Sequence, residues 1–173
     1  MDSIRLNPLD AAWIFTESRA TPNHVGGLLQ FRLPEDAPQD FLRRLMADFR
    51  GHRDFRAPWN RRLKIPFTRN PLPAWVEDDD IDLEYHVRHA ALPWPGGERE
   101  LGELVGRLQS TPLDLSRPPW ECTIIEGLDG DRFAHPCLQV LETTRVVCFV
   151  ARAARRWLPG QARSVLLGRS STL

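Results

Sequence analysis

The amino-acid sequence predicts a mixed α/β fold in which helices are layered on a β-sheet. Its 173 residues are 42% hydrophobic and 27% charged, which is enough apolar material for one compact core. Helical and strand periodicities alternate along the first 131 residues. The dipeptide Asp129-Gly130, which follows an apolar segment, is typical of a tight hairpin turn between two strands.

The first half of the chain predicts three elements and a long connection. Asn7 and Pro8 fit the cap and the first turn of a helix that ends before Thr21-Pro22. Alternating apolar residues predict a strand over residues 24–33, and apolar residues at helical spacing predict a helix over 41–49 that Gly51 closes. Residues 52–75 are predicted to be a connection with one short strand at 63–67.

The second half predicts two strands around a helix. Ile81, Leu83, Tyr85 and Val87 alternate with polar residues and give the strongest strand signal of the chain, over residues 81–88. A helix with Leu101, Leu104, Val105 and Leu108 on one face follows Gly96-Gly97 and ends at Thr111-Pro112, and residues 120–126 are predicted to form another strand.

The regular pattern ends near residue 134. A strand returning from the Asp129-Gly130 turn is expected to stop at Pro136, because proline gives no ladder hydrogen bond and is tolerated only at an edge, a bulge or a strand end. Residues 132–173 contain seven arginines and one acid, a balance of +6, which leaves −6 for residues 1–131. We therefore predict an atypical basic tail over residues 135–173, either out of frame or poorly ordered.

Composition also restricts the cellular setting. No apolar run is long enough to span a bilayer, and no secretion signal is visible. Three cysteines without C-x-x-C spacing argue against a disulfide framework. The sequence thus predicts a cytoplasmic protein.

Four sequence motifs, in the same order, resemble those of the bacterial wax ester synthase/diacylglycerol acyltransferase family. The resemblance covers residues 6 to about 134, and the most specific motif ends in Pro-Pro-Trp-Glu, where the family has Pro-Leu-Trp and this chain has Pro119 in place of leucine. The motifs are Asn7-Pro8-Leu9-Asp10, Pro22-Asn23-His24-Val25-Gly26-Gly27, residues 82–89 and residues 111–121.

The resemblance implies the N-terminal half of a chloramphenicol-acetyltransferase-like domain, incomplete over residues 1–134. It implies transfer of a fatty acyl group from acyl-CoA, the co-substrate, to a long-chain alcohol or diacylglycerol, with no bound cofactor, metal or nucleic acid. It also implies a C-terminal half missing here and a peripheral location at the inner membrane or a lipid-droplet surface. The family signature His-His-x-x-x-Asp-Gly, whose histidine takes the alcohol proton, is expected on and just after the strand following Asp129-Gly130. It is absent: His135 stands alone and no aspartate follows Asp131.

No catalytic residue is therefore assigned, and five residues are predicted to line a substrate tunnel or to serve as a structural motif. They are Pro118, Pro119, Trp120, Glu121 and His24. For Trp120, a tunnel wall and a core position at the start of a strand are equally good interpretations. His24 is interpreted as a structural or tunnel-mouth residue and not as a base.

Other candidate sites have simpler interpretations. His86 and His89 would point to opposite faces of a strand, so they are not expected to share a metal, and residues 78–80 are expected to be a solvated acidic turn. Gly26-Gly27 is expected to mark a bulge or a close backbone approach. Cys137 and Cys148 are expected to be buried or incidental thiols, and the arginines of the tail with Trp157 lack a docking motif for phosphates.

Two functions remain open from the sequence. The first is an acyl-CoA-dependent O-acyltransferase of the wax ester and triacylglycerol type, in which this chain lacks the catalytic motif and is inactive alone. The second is a non-catalytic half-domain that binds lipid or pairs with a separate partner. A condensation-like domain of another pathway is a third, disfavoured interpretation, because the Pro-Pro-Trp-Glu and His-Val-Gly-Gly segments match the lipid family better.

Overall fold

The computed structural model describes residues 4–6, 8–33, 37–51, 53–64, 73–129, 132–141 and 163–167. Its elements, in chain order, are β1 (Ile4–Arg5), α1 (Pro8–Thr16), β2 (His24–Arg32), α2 (Phe41–Gly51), β3 (Arg61–Lys64), β4 (Ala74–Glu77), α3 (Leu83–His86), β5 (Val87–Ala91), α4 (Glu98–Gln109), β6 (Trp120–Leu128), β7 (Arg132–Leu141) and β8 (Arg163–Leu167). The mixed α/β class is confirmed. The predicted helix cap Asn7 lies outside the described residues.

Two sheets organise the chain. The larger has the order β5-β6-β7-β2-β8, with β5 and β6 parallel and the other neighbours antiparallel. The smaller has the order β1-β4-β3, and its Leu63 packs against Ala11 and Ile14 of α1. The predicted short strand corresponds to β3, which begins two residues and ends three residues earlier than expected, whereas β4 was not predicted.

Helices cover both faces of the larger sheet. Leu45 and Met46 of α2 pack on one face, in a core that includes Phe31, Trp120 and Ile124. On the other face, the apolar side of α4 packs against residues of β2 and β6, in a core made of Leu28, Leu92, Leu101, Val105, Ile125 and Leu128. The apolar spacing seen in α2 and α4 thus faces the sheet, as predicted.

The strand predicted over residues 81–88 is wrong for most of its length. Residues 83–86 form one helical turn, because the carboxylate of Asp82 accepts a hydrogen bond from the Tyr85 amide at 3.2 Å and the Asp82 carbonyl accepts one from the His86 amide at 3.1 Å. The strand begins only at Val87. A local cap therefore prevails over the alternating pattern.

Pro136 does not end its strand, which is a second correction. The backbone of β7 runs to Leu141 between β6 and β2, so the predicted boundary at residues 134/135 lies inside a strand. The pairing of β7 is irregular beside Pro136 on both sides, opposite residues 27–29 of β2 and residues 123–125 of β6. A bulge is one of the places where a strand accepts proline, since no ladder bond is required there. The different origin of residues 135–173 stays a prediction.

Candidate active site

The predicted motif Pro118-Pro119-Trp120-Glu121 lies at the start of β6, an interior strand of the larger sheet, and all four residues are buried. A turn leads into it, in which Asp114 accepts hydrogen bonds from the Ser116 amide at 2.9 Å and the Ser116 hydroxyl at 2.6 Å. Two prolines fit this position because they have no amide hydrogen to leave unpaired before the strand ladder begins. The segment therefore delivers Trp120 and Glu121 into the sheet in a fixed orientation.

Trp120 is a core residue that is enclosed by other rings. Its ring stacks on His86 with centroids 4.3 Å apart and on Phe55 at 5.6 Å, and Trp59 meets it edge-on at 6.1 Å. Its indole nitrogen donates a hydrogen bond to the Trp59 carbonyl at 2.8 Å. These contacts support the core interpretation of Trp120, and the tunnel interpretation stays a prediction.

Glu121 faces away from Trp120, because successive residues of a strand point to opposite faces. Its side chain is 8% exposed and accepts a hydrogen bond from the Arg88 guanidinium at 3.1 Å. The Tyr85 hydroxyl also bonds to this carboxylate; burial and then this hydrogen bond raise the pKa of Tyr85 to about 12. Arg88 and Arg117 lie over the Tyr85 ring at 4.8 and 4.2 Å, a double cation–π contact.

His24 is the first residue of β2 and is 5% exposed. The preceding Asn23 ties it to the end of α1, since its side-chain amide donates to the Trp13 carbonyl at 3.0 Å and to the Thr16 hydroxyl at 2.9 Å. Burial lowers the pKa of His24, against the opposing charge of Glu17 and hydrogen bonds with Gln109. The imidazole is therefore neutral at pH 7.

Gly26 makes room for that contact. A Cβ at this position would lie 1.8 Å from the side-chain nitrogen of Gln109, so the Gln109 amide occupies the space that a side chain would need. Gly26-Gly27 also precedes the register irregularity between β2 and β7. The extra residue of that irregularity lies on β7, between His135 and Leu138, and the close approach at Gly26 is that of a side chain and not of a backbone.

His24 and Glu121 lie on either side of the same strand end. In the sheet register Glu121 of β6 is opposite Gln139 of β7, which is opposite Gly26 of β2, and His24 is opposite Leu141, the last residue of β7. The family signature is expected on and just after this strand. The structure thus brings two predicted site residues, on β2 and β6, to the strand end where the resemblance implies the catalytic histidine.

His86 is the residue that sequence reasoning misjudged. It lies in α3 and not on a strand, it is 1% exposed, and its Nδ1 is 2.7 Å from the Trp120 carbonyl. Burial lowers its pKa against that hydrogen bond. His89 instead pairs with Glu126 at 3.2 Å, so the two histidines have separate partners. The cap signal of Asp82 was the one local feature that could have placed His86 on a helical turn.

Several other candidates lie outside what the structure describes. The side chains of Cys137 and His135 are not among the described parts, nor are Cys148, Trp157 and the arginines at 145, 152, 155 and 156. Within the described ranges, no group of three or more acidic, histidine or cysteine side chains is arranged to hold a metal ion. Within the same ranges, no helix is long and apolar enough to cross a bilayer.

Comparison with known proteins identifies the family. Residues 6–137 match the wax ester synthase/diacylglycerol acyltransferase catalytic domain. A Mycobacterium tuberculosis protein that is named as a diacylglycerol O-acyltransferase is 49% identical over 131 residues, and the O-acyltransferase WSD of Acinetobacter baylyi is 42% identical over 130 residues. Each alignment covers 75% of this chain, and the chain spans only 26% and 27% of those relatives.

Solved structures agree with this assignment. The wax ester synthase/diacylglycerol acyltransferase of Marinobacter aquaeolei VT8 superposes with a TM-score of 0.78 at 40% identity, over 88% of this chain and 36% of that one. A condensation domain of the calcium-dependent antibiotic synthetase, at 16% identity and a TM-score of 0.59, shares the fold alone. The chain therefore belongs to the wax ester synthase/diacylglycerol acyltransferase family, and its described part has the fold of that family's N-terminal portion.

Proposed function

We propose that this chain supplies the N-terminal part of an acyl-CoA-dependent O-acyltransferase that esterifies a long-chain alcohol or diacylglycerol. The observation that carries the proposal is the match of residues 6–137 to the family's catalytic domain. The names of the relatives, which describe O-acyltransferases, support the same chemistry. No finding favours the second hypothesis, a non-catalytic lipid-binding half-domain.

A chimera tests whether these residues belong to a working acyltransferase. Residues 6–134 would replace the matched segment of the Acinetobacter baylyi WSD protein, which contributes the remainder of its own chain. We expect the purified chimera to form wax ester from palmitoyl-CoA and hexadecanol, measured by thiol release and by the ester product. The control is the same chimera with the relative's signature histidines replaced by alanine. A folded chimera that is no faster than this control would refute the proposal.

We further propose that the 173-residue polypeptide has negligible acyltransferase activity by itself. A general base contributes about 10²–10⁴ in rate, and the printed sequence has no His-His-x-x-x-Asp-Gly to supply one. Incubation with palmitoyl-CoA and either hexadecanol or a diacylglycerol should release thiol at the rate of the protein-free reaction. Turnover that disappears in H135A would contradict this expectation.

A related proposal concerns the part of the gene that encodes the tail. We propose that residues 135–173 are read in a different frame from the family's sequence, since the family signature is missing there and the net charge changes from −6 over residues 1–131 to +6 over residues 132–173. The family match extends only three residues into this segment, to residue 137. Resequencing the locus tests this. A one-base correction that restores His-His-x-x-x-Asp-Gly would support it, and an intact frame that encodes an unrelated tail would contradict it.

The proposed substrates also bear on location. Fatty acyl-CoA meets long-chain alcohols and diacylglycerol at lipid surfaces, so we propose peripheral association with the inner membrane or a lipid droplet. Sedimentation of the protein with phosphatidylcholine vesicles that contain diacylglycerol would test this association. Recovery of all the protein in the supernatant would contradict it.

A further inference from the structure

The turn between β5 and α4 carries the most exposed of the large apolar side chains that the structure describes. Trp94 is 93% exposed, compared with 60% for Phe15 and 49% for Ile4. Its neighbours in sequence, Pro93 and Pro95, are exposed as well. Residues 93–95, the Trp94 tip, therefore form an uncharged projection from the surface.

The Trp94 tip stands on a rigid base. Leu92, directly before it, is buried in the core beneath α4. Gly96, directly after it, has a positive φ of 73°, and a Cβ there would lie 1.9 Å from the Gly127 carbonyl oxygen. The Gly96 carbonyl also accepts a hydrogen bond from the Asp129 amide at 3.0 Å. Because backbone packs against backbone here, the ring is presented without the entropy cost of ordering a loop on contact.

The backbone around the tip bonds largely within the protein. Pro93 and Pro95 have no amide hydrogen. The amides of Leu92, Gly96 and Gly97 donate to the Glu126 carbonyl, the Pro93 carbonyl and the Glu100 carboxylate, each at 2.9 Å. An unpaired backbone donor is costly in a lipid phase, where no water replaces the lost hydrogen bond. The tip can therefore enter such a phase with little unpaired backbone.

The chemistry of the tip fits a lipid–water interface without net charge. Tryptophan has an apolar body and a single N–H donor, and membrane proteins concentrate it at the headgroup level, where both parts find partners. The charged residues that flank the base of the tip, Glu98 and Asp129, are acidic and exposed, and Arg99 forms an ion pair with Glu103 at 3.1 Å. Acidic neighbours repel anionic lipids and nucleic acids. The surface that fits is therefore a zwitterionic or neutral one.

The size of the tip argues against a protein partner. An aromatic side chain buries about 150–250 Å², whereas a stable protein interface buries about 800 Å² on each partner. The exposed side of α4 next to the tip does not extend the apolar area, because it carries the charged residues Arg99, Glu103 and Arg107. A fluid lipid surface needs no matching pocket, so it can enclose a single ring.

We propose that the Trp94 tip inserts into a lipid surface without net charge, and that this contact binds the chain to that surface weakly and reversibly. The inference rests on the proposed function, whose acyl donor and acceptor collect at lipid surfaces. Weak binding follows from the area, since membrane affinity scales with the apolar surface that is buried. The strand β6 runs from Trp120 to Leu128, so about 25 Å separates the tip from the Pro-Pro-Trp-Glu motif. The tip can therefore be changed without altering the candidate site.

Vesicle binding of the full 173-residue chain tests the proposal without acyl-CoA or turnover. The probe is phosphatidylcholine vesicles without diacylglycerol, whose headgroups carry no net charge and so do not attract the tail arginines. W94A should lower the partition coefficient, measured by sedimentation, by about tenfold or more, because a large apolar side chain no longer leaves water. The matched control is F15A, which removes another exposed ring, on α1. This control should change the coefficient by less than about twofold.

A fluorescence measurement identifies the residue that inserts. Phosphatidylcholine with brominated acyl chains quenches a tryptophan that contacts those chains. W94F keeps an aromatic ring and should therefore still bind vesicles, but the quenching seen with the parent chain should be lost. Support requires this loss together with weak binding of W94A and parent-like binding of F15A.

The remaining outcomes would overturn the proposal. They are equal partition coefficients for W94A and the parent, equal losses in W94A and F15A, quenching that persists in W94F, and a parent chain that stays in the supernatant. In the last case, light scattering of the parent and W94A would show whether the tip instead binds a second copy of the chain. Failure of the chimera assay would refute the proposed function and leave these partition coefficients unchanged, so the two failures are distinguishable.

Discussion

Replacing Trp120 by alanine should destabilise the fold by about 4–5 kcal/mol. Truncating a buried tryptophan to alanine costs about 3–5 kcal/mol through lost burial and the cavity that remains. Trp120 is 6% exposed and also loses two stacked rings, His86 and Phe55, and a 2.8 Å hydrogen bond to the Trp59 carbonyl, which contributes about 1 kcal/mol. These losses place W120A in the upper part of the range.

The matched control is another tryptophan, Trp94, which is 93% exposed. W94A should change the free energy of unfolding by less than about 0.5 kcal/mol, although it deletes the same side chain. Urea unfolding followed by far-UV circular dichroism measures both variants without relying on tryptophan fluorescence. W120F keeps an aromatic ring and loses mainly the hydrogen bond, so about 1–2 kcal/mol is expected; it provides the measurement if W120A does not fold.

The reasoning would be refuted by W120A and W94A variants of equal stability. That result would mean that the aromatic cluster around Trp120 does not form the enclosed core described above. A W120F loss as large as that of W120A would mean instead that the indole hydrogen bond, and not ring burial, carries the stabilisation. The two variants of Trp120 therefore distinguish the free energy of unfolding that comes from burial of the ring from the part that comes from the indole hydrogen bond.

Two further predictions concern the start of β2 and the buried histidines. G26A should destabilise by about 1 kcal/mol, because the new Cβ displaces the Gln109 amide from His24. In G27A the new Cβ meets no atom within 4 Å among the described side chains, so this variant should stay closer to the parent in urea unfolding. His24 and His86 both have pKa values that burial lowers in the folded state, so the unfolded chain binds more protons just below pH 6.5. The free energy of unfolding should therefore fall from pH 7 to pH 5, by up to about 1.4 kcal/mol per pH unit for each histidine; a flat or rising profile by circular dichroism would contradict it.

Local periodicity was sufficient to predict the elements that have one apolar side. The strand β2 and the helices α2 and α4 were predicted within a few residues, because burying one face dictates the spacing of apolar residues. The failures have local physical causes. A side-chain cap at Asp82 converts an alternating segment into a helical turn, and a bulge lets β7 pass through Pro136.

The candidate site was predictable only in part. Trp120, Glu121 and His24 were found because they stand in recognisable motifs. Their partners His86 and Arg88 lie more than thirty residues earlier in sequence than the motif on β6. No local pattern encodes such a pairing. It depends on β5 lying parallel to β6, with His86 of α3 on the Trp120 side of the sheet and Arg88 of β5 on the Glu121 side.

The Pro-Pro-Trp-Glu segment serves two purposes because a strand turns adjacent residues to opposite faces. Trp120 enters the core between the sheet and α2, where its ring is enclosed, while Glu121 enters the polar face that also holds the neutral His24. A rigid core residue next to the carboxylate limits how far that carboxylate can move. A substitution at position 120 should therefore also disturb the carboxylate at position 121, and the free energies of unfolding of W120F, E121Q and the double variant would measure this coupling in urea.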